Sequence, residues 1–298
     1  MDIEAYKRQY LDEIASSSSA SPKAMTGKAI DAYLSGPSPE TETACEMVAL
    51  LPLEGDALDD TVRKLLAMLG DQSLETPVRL AAFRQLGAAA FQPVQFAPFH
   101  ADYIDLLRRL ALDGDKQIRA AALEQLAMTG DAEAQKLLRE GLEKTRKPLI
   151  SDAKAVQLLA ADDHSGALPI FRELAVSAKG KTREQALRAL ASDEQSVSLF
   201  REIATNKDEA APLREIAVVN LKGTAPESFA ELAPQVALDP GNSDRLRAAA
   251  VSALAHARNT GQAFSQPFHQ QLDVLRSETQ SRALKSSIRR FNKASRSE

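Results

Sequence analysis

A basic residue that recurs at a regular interval is the feature that most constrains the fold of this sequence. Arginine fills six of its positions and lysine fills one, and the members are Arg79, Arg119, Lys154, Arg183, Arg214, Arg247 and Arg282. Successive members are 40, 35, 29, 31, 33 and 35 residues apart. A period in this range predicts a stack of helical pairs, with one pair for each repeat. We call these seven residues the basic ladder.

Apolar residues follow the ladder at fixed distances. Four residues after a ladder position lie Phe83, Leu123, Leu158, Leu187, Val218 and Val251. Seven residues after it lie Leu86, Leu126, Leu190, Leu221 and Leu254. These two spacings place the side chains on one stripe of a helix. Alanines fill many of the intervening positions, so each ladder residue is predicted to lie on the second helix of its pair, closely packed against neighbouring helices.

Composition and pattern agree on helices throughout. Hydrophobic residues make up 44% of the chain, aromatic residues only 5%, and tryptophan is absent. Sheets favour β-branched and aromatic residues, and no stretch alternates with a period of two long enough to form a strand. The sequence therefore predicts an all-α protein.

Three segments carry a family resemblance. Residues 115–127 closely resemble the second helix of a HEAT repeat, and residues 76–87 and 246–254 are similar to it. The resemblance extends over roughly residues 40–291 and implies a right-handed α-solenoid of about six or seven HEAT-like helical hairpins. It also implies that the second helices line a concave side, and that the arginines bond carboxylates or carbonyls of adjacent repeats.

The expected organisation has three parts. Residues 1–21 are predicted to form a short helix and a serine-rich flexible segment, residues 22–291 the solenoid, and residues 292–298 a basic tail. In the last repeat, Ser286 and Arg289 occupy places where apolar residues are expected. This departure predicts a terminal cap with a polar outer face.

Residues able to do chemistry are scattered. The four histidines are His100, His164, His256 and His269, and none of them forms a metal-binding pair. Residues 162–164 (Asp-Asp-His) are interpreted as a helix cap, residues 180–182 (Gly-Lys-Thr) as a helix start, and the Ser-x-x-Lys match at 151–154 as a chance match. Cys45 lies in an apolar run and is interpreted as a buried thiol. We therefore predict no catalytic, metal-binding or cofactor-binding residue, no cofactor, and no enzymatic activity.

Charge and cysteine content bear on partners and compartment. The formal net charge of −4 and the pI near 5.7 argue against a general attraction to nucleic acid. Cys45 is the only cysteine, which favours a reducing compartment, and no run of apolar residues approaches the length of a membrane span. The first 13 residues do not resemble a Sec signal peptide. The expected location is the cytoplasm.

An aromatic, proline-broken segment occupies residues 91–103, in the longest interval of the ladder. If it is an inserted loop with exposed rings, Phe96 and Phe99 are candidate partner contacts. The alternative, which we favour, is that the segment folds back and covers the edge of neighbouring helices.

The two ends of the repeat region carry opposite charge. Residues 40–60 contain seven acidic residues and no basic one, whereas residues 276–298 have a net charge of +5. Arg289 and Arg290 on the basic side are candidate contacts to nucleic acid, an acidic partner, or the acidic end of another copy. The alternative is a solvated cap and tail.

The hypothesis for function is a non-catalytic scaffold that presents a concave helical surface to a protein or peptide. Candidate contacts lie five or six residues after a ladder position, and they are Arg84, Gln85, Glu124, Gln125, Arg188, Asn220 and Ser252. The alternatives are a glycosylase-like nucleic-acid binder of the HEAT family and a HEAT-like chaperone of the bilin-lyase type.

Overall fold

A computed structural model describes residues 26–36, 40–162 and 166–293. Within these ranges the regular structure is helical, without strands. The predicted N-terminal helix and serine-rich segment lie outside the described residues, as do residues 294–298 of the predicted tail. The chain divides into two compact units, residues 1–129 and 130–298.

The described residues of the first unit form seven α-helices. They are α1 (Gly27–Leu34), α2 (Thr41–Ala49), α3 (Leu58–Gly70), α4 (Thr76–Ala89), the single-turn α5 (Pro93–Phe96), α6 (His100–Leu110) and α7 (Lys116–Met128). Short 3₁₀ turns at Gly55–Ala57 and Ala97–Phe99 precede α3 and α6. Helices α1 and α2, α3 and α4, and α6 and α7 pack as pairs.

The second unit continues the same plan. Its helices are α8 (Ala132–Leu142), α9 (Asp152–Leu159), α10 (Leu168–Ser177), α11 (Gly180–Ala189), α12 (Val197–Thr205), α13 (Ala211–Thr224), α14 (Pro226–Leu238), α15 (Asp244–Asn259), α16 (Gln266–Glu278) and α17 (Arg282–Lys293). A 3₁₀ turn at Glu194–Ser196 precedes α12. The helices pack as five successive pairs.

Second helices also contact second helices. In the first unit α2 packs on α4 and α4 on α7, while in the second unit α9, α11, α13, α15 and α17 pack in that order. First helices form a parallel layer, in which α3 contacts α1 and α6, and α14 contacts α12 and α16. Each unit is thus a two-layered stack of helical hairpins, the α-solenoid class that the sequence predicts. The pair α1–α2 precedes Arg79, the first ladder residue, so this pair contains no member of the basic ladder.

Local chemistry explains where the second helices begin. The Asp115 carboxylate accepts the backbone N–H groups of Gln117 and Ile118, and the Ser243 hydroxyl accepts that of Leu246. Pro77 and Pro212 occupy the first turns of α4 and α13, where a backbone N–H would have no partner inside the helix. These caps and prolines fix the residue at which each of these helices begins, and therefore the position of the ladder residue within the helix.

The core lies between the two layers. The residues seven places after a ladder position, Leu86, Leu126, Leu190, Leu221 and Leu254, are all fully buried. First helices contribute a matching row of rings, because Phe171, Phe200 and Phe229 are buried in α10, α12 and α14. The predicted apolar stripe is therefore confirmed, with Phe83 only half-buried.

The last helix keeps its apolar stripe in a different register. Leu284, Ile288 and Phe291 are fully buried, whereas Arg289 lies on the exposed face. Ser286 and Arg289 were wrongly expected to replace apolar residues of the stripe, because the positions of the stripe were counted from Arg282. That residue is the first of α17, while the other ladder arginines are the fourth of their helices.

Candidate interaction surface

Four of the ladder arginines join the two helices of their pair. The Arg79 Nε donates to the carbonyl of Leu69 at 3.1 Å, at the end of α3. The corresponding bonds elsewhere are Arg183 Nε to Ala175 O at 2.8 Å, Arg214 Nε to Ala204 O at 3.1 Å, and Arg247 Nε to Ala237 O at 3.1 Å. Each arginine satisfies a carbonyl at a helix C-terminus that has no partner within its own helix.

Two of these arginines also reach the next pair. Arg79 Nη2 donates to Asp113 Oδ2 at 2.7 Å, in the turn between α6 and α7. The guanidinium of Arg183 makes a bidentate contact with Glu209, at 3.0 and 2.6 Å. Arg79 and Arg183 thus make the contacts to carboxylates of an adjacent repeat that the family resemblance implies, whereas the carbonyl bonds lie within a repeat. These arginines act as structural cross-links.

Asp113 lies at a junction of such contacts. Its burial raises the pKa, but the hydrogen bond from Arg79, the backbone N–H of Asp115 and the charge of Arg79 outweigh that effect. The pKa of Asp113 is consequently lowered, so the carboxylate is ionised at neutral pH. Its backbone carbonyl also accepts a hydrogen bond from Arg119 Nη1.

Positions five residues after the ladder face solvent on several second helices. The side chains of Arg84, Glu124 and Arg188 are exposed on α4, α7 and α11, and Val219 is 49% exposed on α13. Ser252 on α15 is half-buried, with its hydroxyl 2.8 Å from that of Ser287 on α17. We call Arg84, Glu124, Arg188, Val219 and Ser252 the second-helix row. Val219 was not predicted as a contact, because only polar residues were considered at this position.

Positions six residues after the ladder have a different role. The Asn220 side chain is 5% exposed, and its Nδ2 donates to the carbonyl of Leu187 on α11 at 2.7 Å. Gln85 Nε2 likewise donates to the carbonyl of Ala49 at the end of α2, at 2.6 Å. Asn220 was therefore wrong as a partner contact, since it binds the preceding repeat. Gln85 resembles Asn220 in that its side chain already bonds a carbonyl of the preceding repeat. Gln125 is half-buried on α7.

The aromatic segment folds back on the first unit. Phe96 and Phe99 are 3% and 2% exposed, and Tyr103 packs edge-on against Phe96 with ring centroids 5.6 Å apart. The guanidinium of Arg63 lies 5.2 Å from the centre of the Phe99 ring, in a cation–π contact. Phe96 and Phe99 were therefore wrong as exposed contacts, and this part of the segment folds back as the favoured alternative states, whereas Phe91 and Val94 at its start are exposed. Burial raises the pKa of Tyr103 to about 12.

The oppositely charged segments are largely exposed. On the acidic side, Glu42 and Glu46 of α2 and Glu54 and Asp56 after it face solvent. On the basic side, the exposed residues are Arg282, Arg289, Arg290 and Lys293 of α17. Arg289 and Arg290 are therefore accessible, as a partner contact requires.

The motifs that resembled catalytic signatures serve helix ends. Ser151 caps α9, where its hydroxyl accepts the backbone N–H of Lys154. Gly180 begins α11 with a φ of 56°, a conformation that glycine adopts readily. Asp162 accepts a hydrogen bond from Gln135 Nε2, whereas residues 163 and 164 of the possible metal cluster lie outside the described residues.

Two further observations concern metals and membranes. In the part of the chain that the structure describes, no three His, Cys, Asp or Glu residues are grouped so that they can hold a metal ion. Among the same residues, no helix has both the length and the apolar character that crossing a membrane requires.

Comparisons with known proteins point to one family. A family model described as HEAT repeats matches residues 62–153, which extend from α3 into α9. No curated protein matches the chain. The crystal structure of an engineered protein, from the Northeast Structural Genomics Consortium, is weakly similar: the TM-score is 0.41 and the identity 17%, over 90% of this chain and 78% of that one. Residues 62–153 are thus similar to HEAT repeats, and the stacked helical pairs in that range agree with the match.

Proposed function

We propose that this protein is a non-catalytic scaffold that binds a protein or peptide along its second helices. HEAT repeats generally serve as protein-interaction scaffolds. The observation that carries the proposal is the second-helix row. Within each unit it supplies accessible side chains at one equivalent position, Arg84 and Glu124 in the first unit and Arg188 and Val219 in the second, while Asn220 at a neighbouring position holds two repeats together. A rigid frame with variable exposed residues can acquire specificity for a partner without a change of fold.

The charges along the row favour a protein over a polyanion. Arg84 and Arg188 are basic, Glu124 is acidic and Val219 is apolar. Mixed signs can match the mixed surface of a protein, whereas a nucleic acid requires a continuous positive surface. As part of the same proposal, we place the protein in the cytoplasm, because its one cysteine suits a reducing compartment.

Affinity capture with matched variants tests the proposal. The wild-type chain and an Arg84→Glu/Arg188→Glu variant are immobilised, and proteins retained from the native cell extract are quantified by mass spectrometry. The control variant is Arg109→Glu/Lys136→Glu, which reverses two exposed charges on the first helices α6 and α8. We expect at least one partner to be retained by the wild type and the control, and to be reduced tenfold or more with the row variant.

Two results would contradict the proposal. One is equal retention of every partner by the row variant and the control. The other is retention of the chain on DNA, weakened steeply by salt, without any reproducible protein partner. The second result would support the nucleic-acid alternative instead.

A further inference from the structure

Three successive second helices of the first unit each end at an exposed apolar side chain. Leu50 is the C-cap of α2 and 54% exposed, Phe91 follows the C-cap of α4 and is 89% exposed, and Met128 is the last residue of α7 and 74% exposed. Val94, shortly after Phe91, is 81% exposed. We call Leu50, Phe91, Val94 and Met128 the apolar edge.

Contacts between the helices place these residues on the same side of the unit. Helix α4 packs against both α2 and α7. Thr76 at the start of α4 donates to Asp115, the N-cap of α7, at 2.7 Å, so these two helices of nearly equal length begin, and therefore end, side by side. Gln85 near the end of α4 donates to the carbonyl of Ala49 at 2.6 Å, and Gln92 donates to that of Leu53 at 2.8 Å. Packed helices lie about 10 Å apart, so the edge extends over roughly 20 Å. A single helix of about 13 residues has that length.

The electrostatic surroundings of the apolar edge are negative. The last turns of α2, α4 and α7 contain no basic residue, and a helix C-terminus carries a partial negative charge. Glu46 is exposed one turn before Leu50, and Glu54 and Asp56 are exposed just after it. Apolar side chains beside exposed carboxylates are complementary to a ligand that carries both apolar and cationic groups.

We propose that the apolar edge binds a protein segment whose apolar side chains are flanked by lysine or arginine. Burial of Leu50, Phe91 and Met128 supplies the affinity, and the carboxylates with the three helix ends select cations. The same negative field repels nucleic acid and anionic lipid surfaces. The inference shares with the proposed function only the class of partner, because it concerns different residues.

A pair of synthetic peptides tests this assignment. Both are fluorescent 14-residue amphipathic peptides with the same leucine positions, one carrying lysine and the other glutamate at the polar positions. Binding to the full chain is measured by fluorescence anisotropy. We expect the lysine peptide to bind at least tenfold more tightly than the glutamate peptide.

Variants locate the binding. Leu50→Ser/Phe91→Ser/Met128→Ser removes the exposed apolar groups, and we expect it to weaken binding of the lysine peptide at least tenfold. Glu46→Gln/Glu54→Gln/Asp56→Asn keeps those groups, and we expect it to reduce the preference for lysine over glutamate. The control is Val176→Ser/Val274→Ser, which alters exposed apolar residues of the second unit and should leave binding unchanged. Circular dichroism verifies that each variant retains its helices.

Three outcomes would overturn the assignment. They are equal binding of the two peptides, unchanged binding by the Leu50/Phe91/Met128 variant, and a concentration-dependent dimer of the wild type that this variant abolishes. The dimer would show that a second copy occupies the edge. None of these outcomes affects the capture experiment with Arg84 and Arg188, so the two proposals fail separately.

Discussion

The guanidinium of Arg79 and the carboxylate of Asp113 form an ion pair across two successive helical pairs, 2.7 Å apart, with both side chains 4% exposed. Arg79 belongs to α4 and Asp113 to the turn after α6, so the bond joins elements 34 residues apart in the sequence. The same arginine also holds the carbonyl of Leu69. One side chain thus joins α4 to α3 and to the turn after α6. The carbonyl bond is the contact that four ladder arginines share, and it explains why the residue recurs.

Removal of the Asp113 charge should destabilise the first unit strongly. In Asp113→Asn the buried guanidinium of Arg79 loses its counter-charge, and such a loss typically costs about 3 to 5 kcal/mol. Urea denaturation measures the free energy of unfolding, and hydrogen exchange shows whether α3, α4 and α7 are affected. Asp105→Asn is the control, since Asp105 pairs with Arg108 on the surface and should contribute less than about 0.5 kcal/mol. A cost for Asp113→Asn as small as that of the control would mean that the buried pair does not connect the repeats.

The side-chain amides six residues after the ladder should differ in their contribution to stability. Asn220→Leu keeps most of the volume but loses the buried bond to Leu187, and we expect the free energy of unfolding to fall by about 1 to 3 kcal/mol. Gln85→Leu loses an exposed bond to Ala49, which water can replace, so we expect a loss below about 1 kcal/mol. Thermal and urea denaturation of both variants measure the difference. Equal effects would show that burial does not decide the value of these bonds.

The sequence was sufficient to predict the fold but not the roles of individual polar residues. The ladder and the residues four and seven places after it share one helix, so their spacing is visible in the sequence. The acceptor of Asn220 lies 33 residues earlier, on another helix, and nothing near Asn220 distinguishes that partner from solvent. Asn220 and Arg84 both lie at the edge of the apolar stripe, yet one is buried and the other exposed.

The aromatic segment illustrates a related difficulty. Phe96 and Phe99 are buried, whereas Phe91 and Val94, only a few residues before them, are exposed. All four side chains are apolar, and the short turns at residues 93–99 direct Phe96 and Phe99 inward while Val94 stays outside. A pattern this short has no period from which the inward side can be predicted.

Acid should remove the contribution of the Asp193–Arg172 pair. Arg172 Nε and Nη2 donate to the two carboxylate oxygens at 2.7 and 2.8 Å, and this bond lowers the pKa of Asp193, against burial, with help from Ser196. A carboxyl group whose pKa is lower in the folded state stabilises the fold above its unfolded pKa, near 4, and loses that contribution as the pH falls through the folded value. The wild type should therefore be more stable than Asp193→Asn at pH 7, and the difference should shrink below about pH 4.

Urea denaturation at a series of pH values between 2 and 7 provides that comparison. Asp208→Asn, an exposed change in the turn before α13, serves as the control for the loss of one surface charge. A difference between the wild type and Asp193→Asn that persists unchanged at the lowest pH would contradict the assigned role of the ionised carboxylate.

Cys45 should react slowly with alkylating reagents. Its side chain is half-buried on α2, and burial raises the pKa of the thiol, while the nearby charge of Arg84 partly opposes that rise. At pH 8 the fraction of thiolate, the nucleophilic form, is therefore lower than in a free cysteine. We expect slower reaction with iodoacetamide than for cysteine in a short peptide, and a still slower reaction in Arg84→Glu. Mass spectrometry measures the rates, with Arg109→Glu as a distant control, and urea should restore the rate of a free cysteine. Faster alkylation in Arg84→Glu than in the wild type would show that access to the sulfur, rather than the charge of residue 84, governs its reactivity.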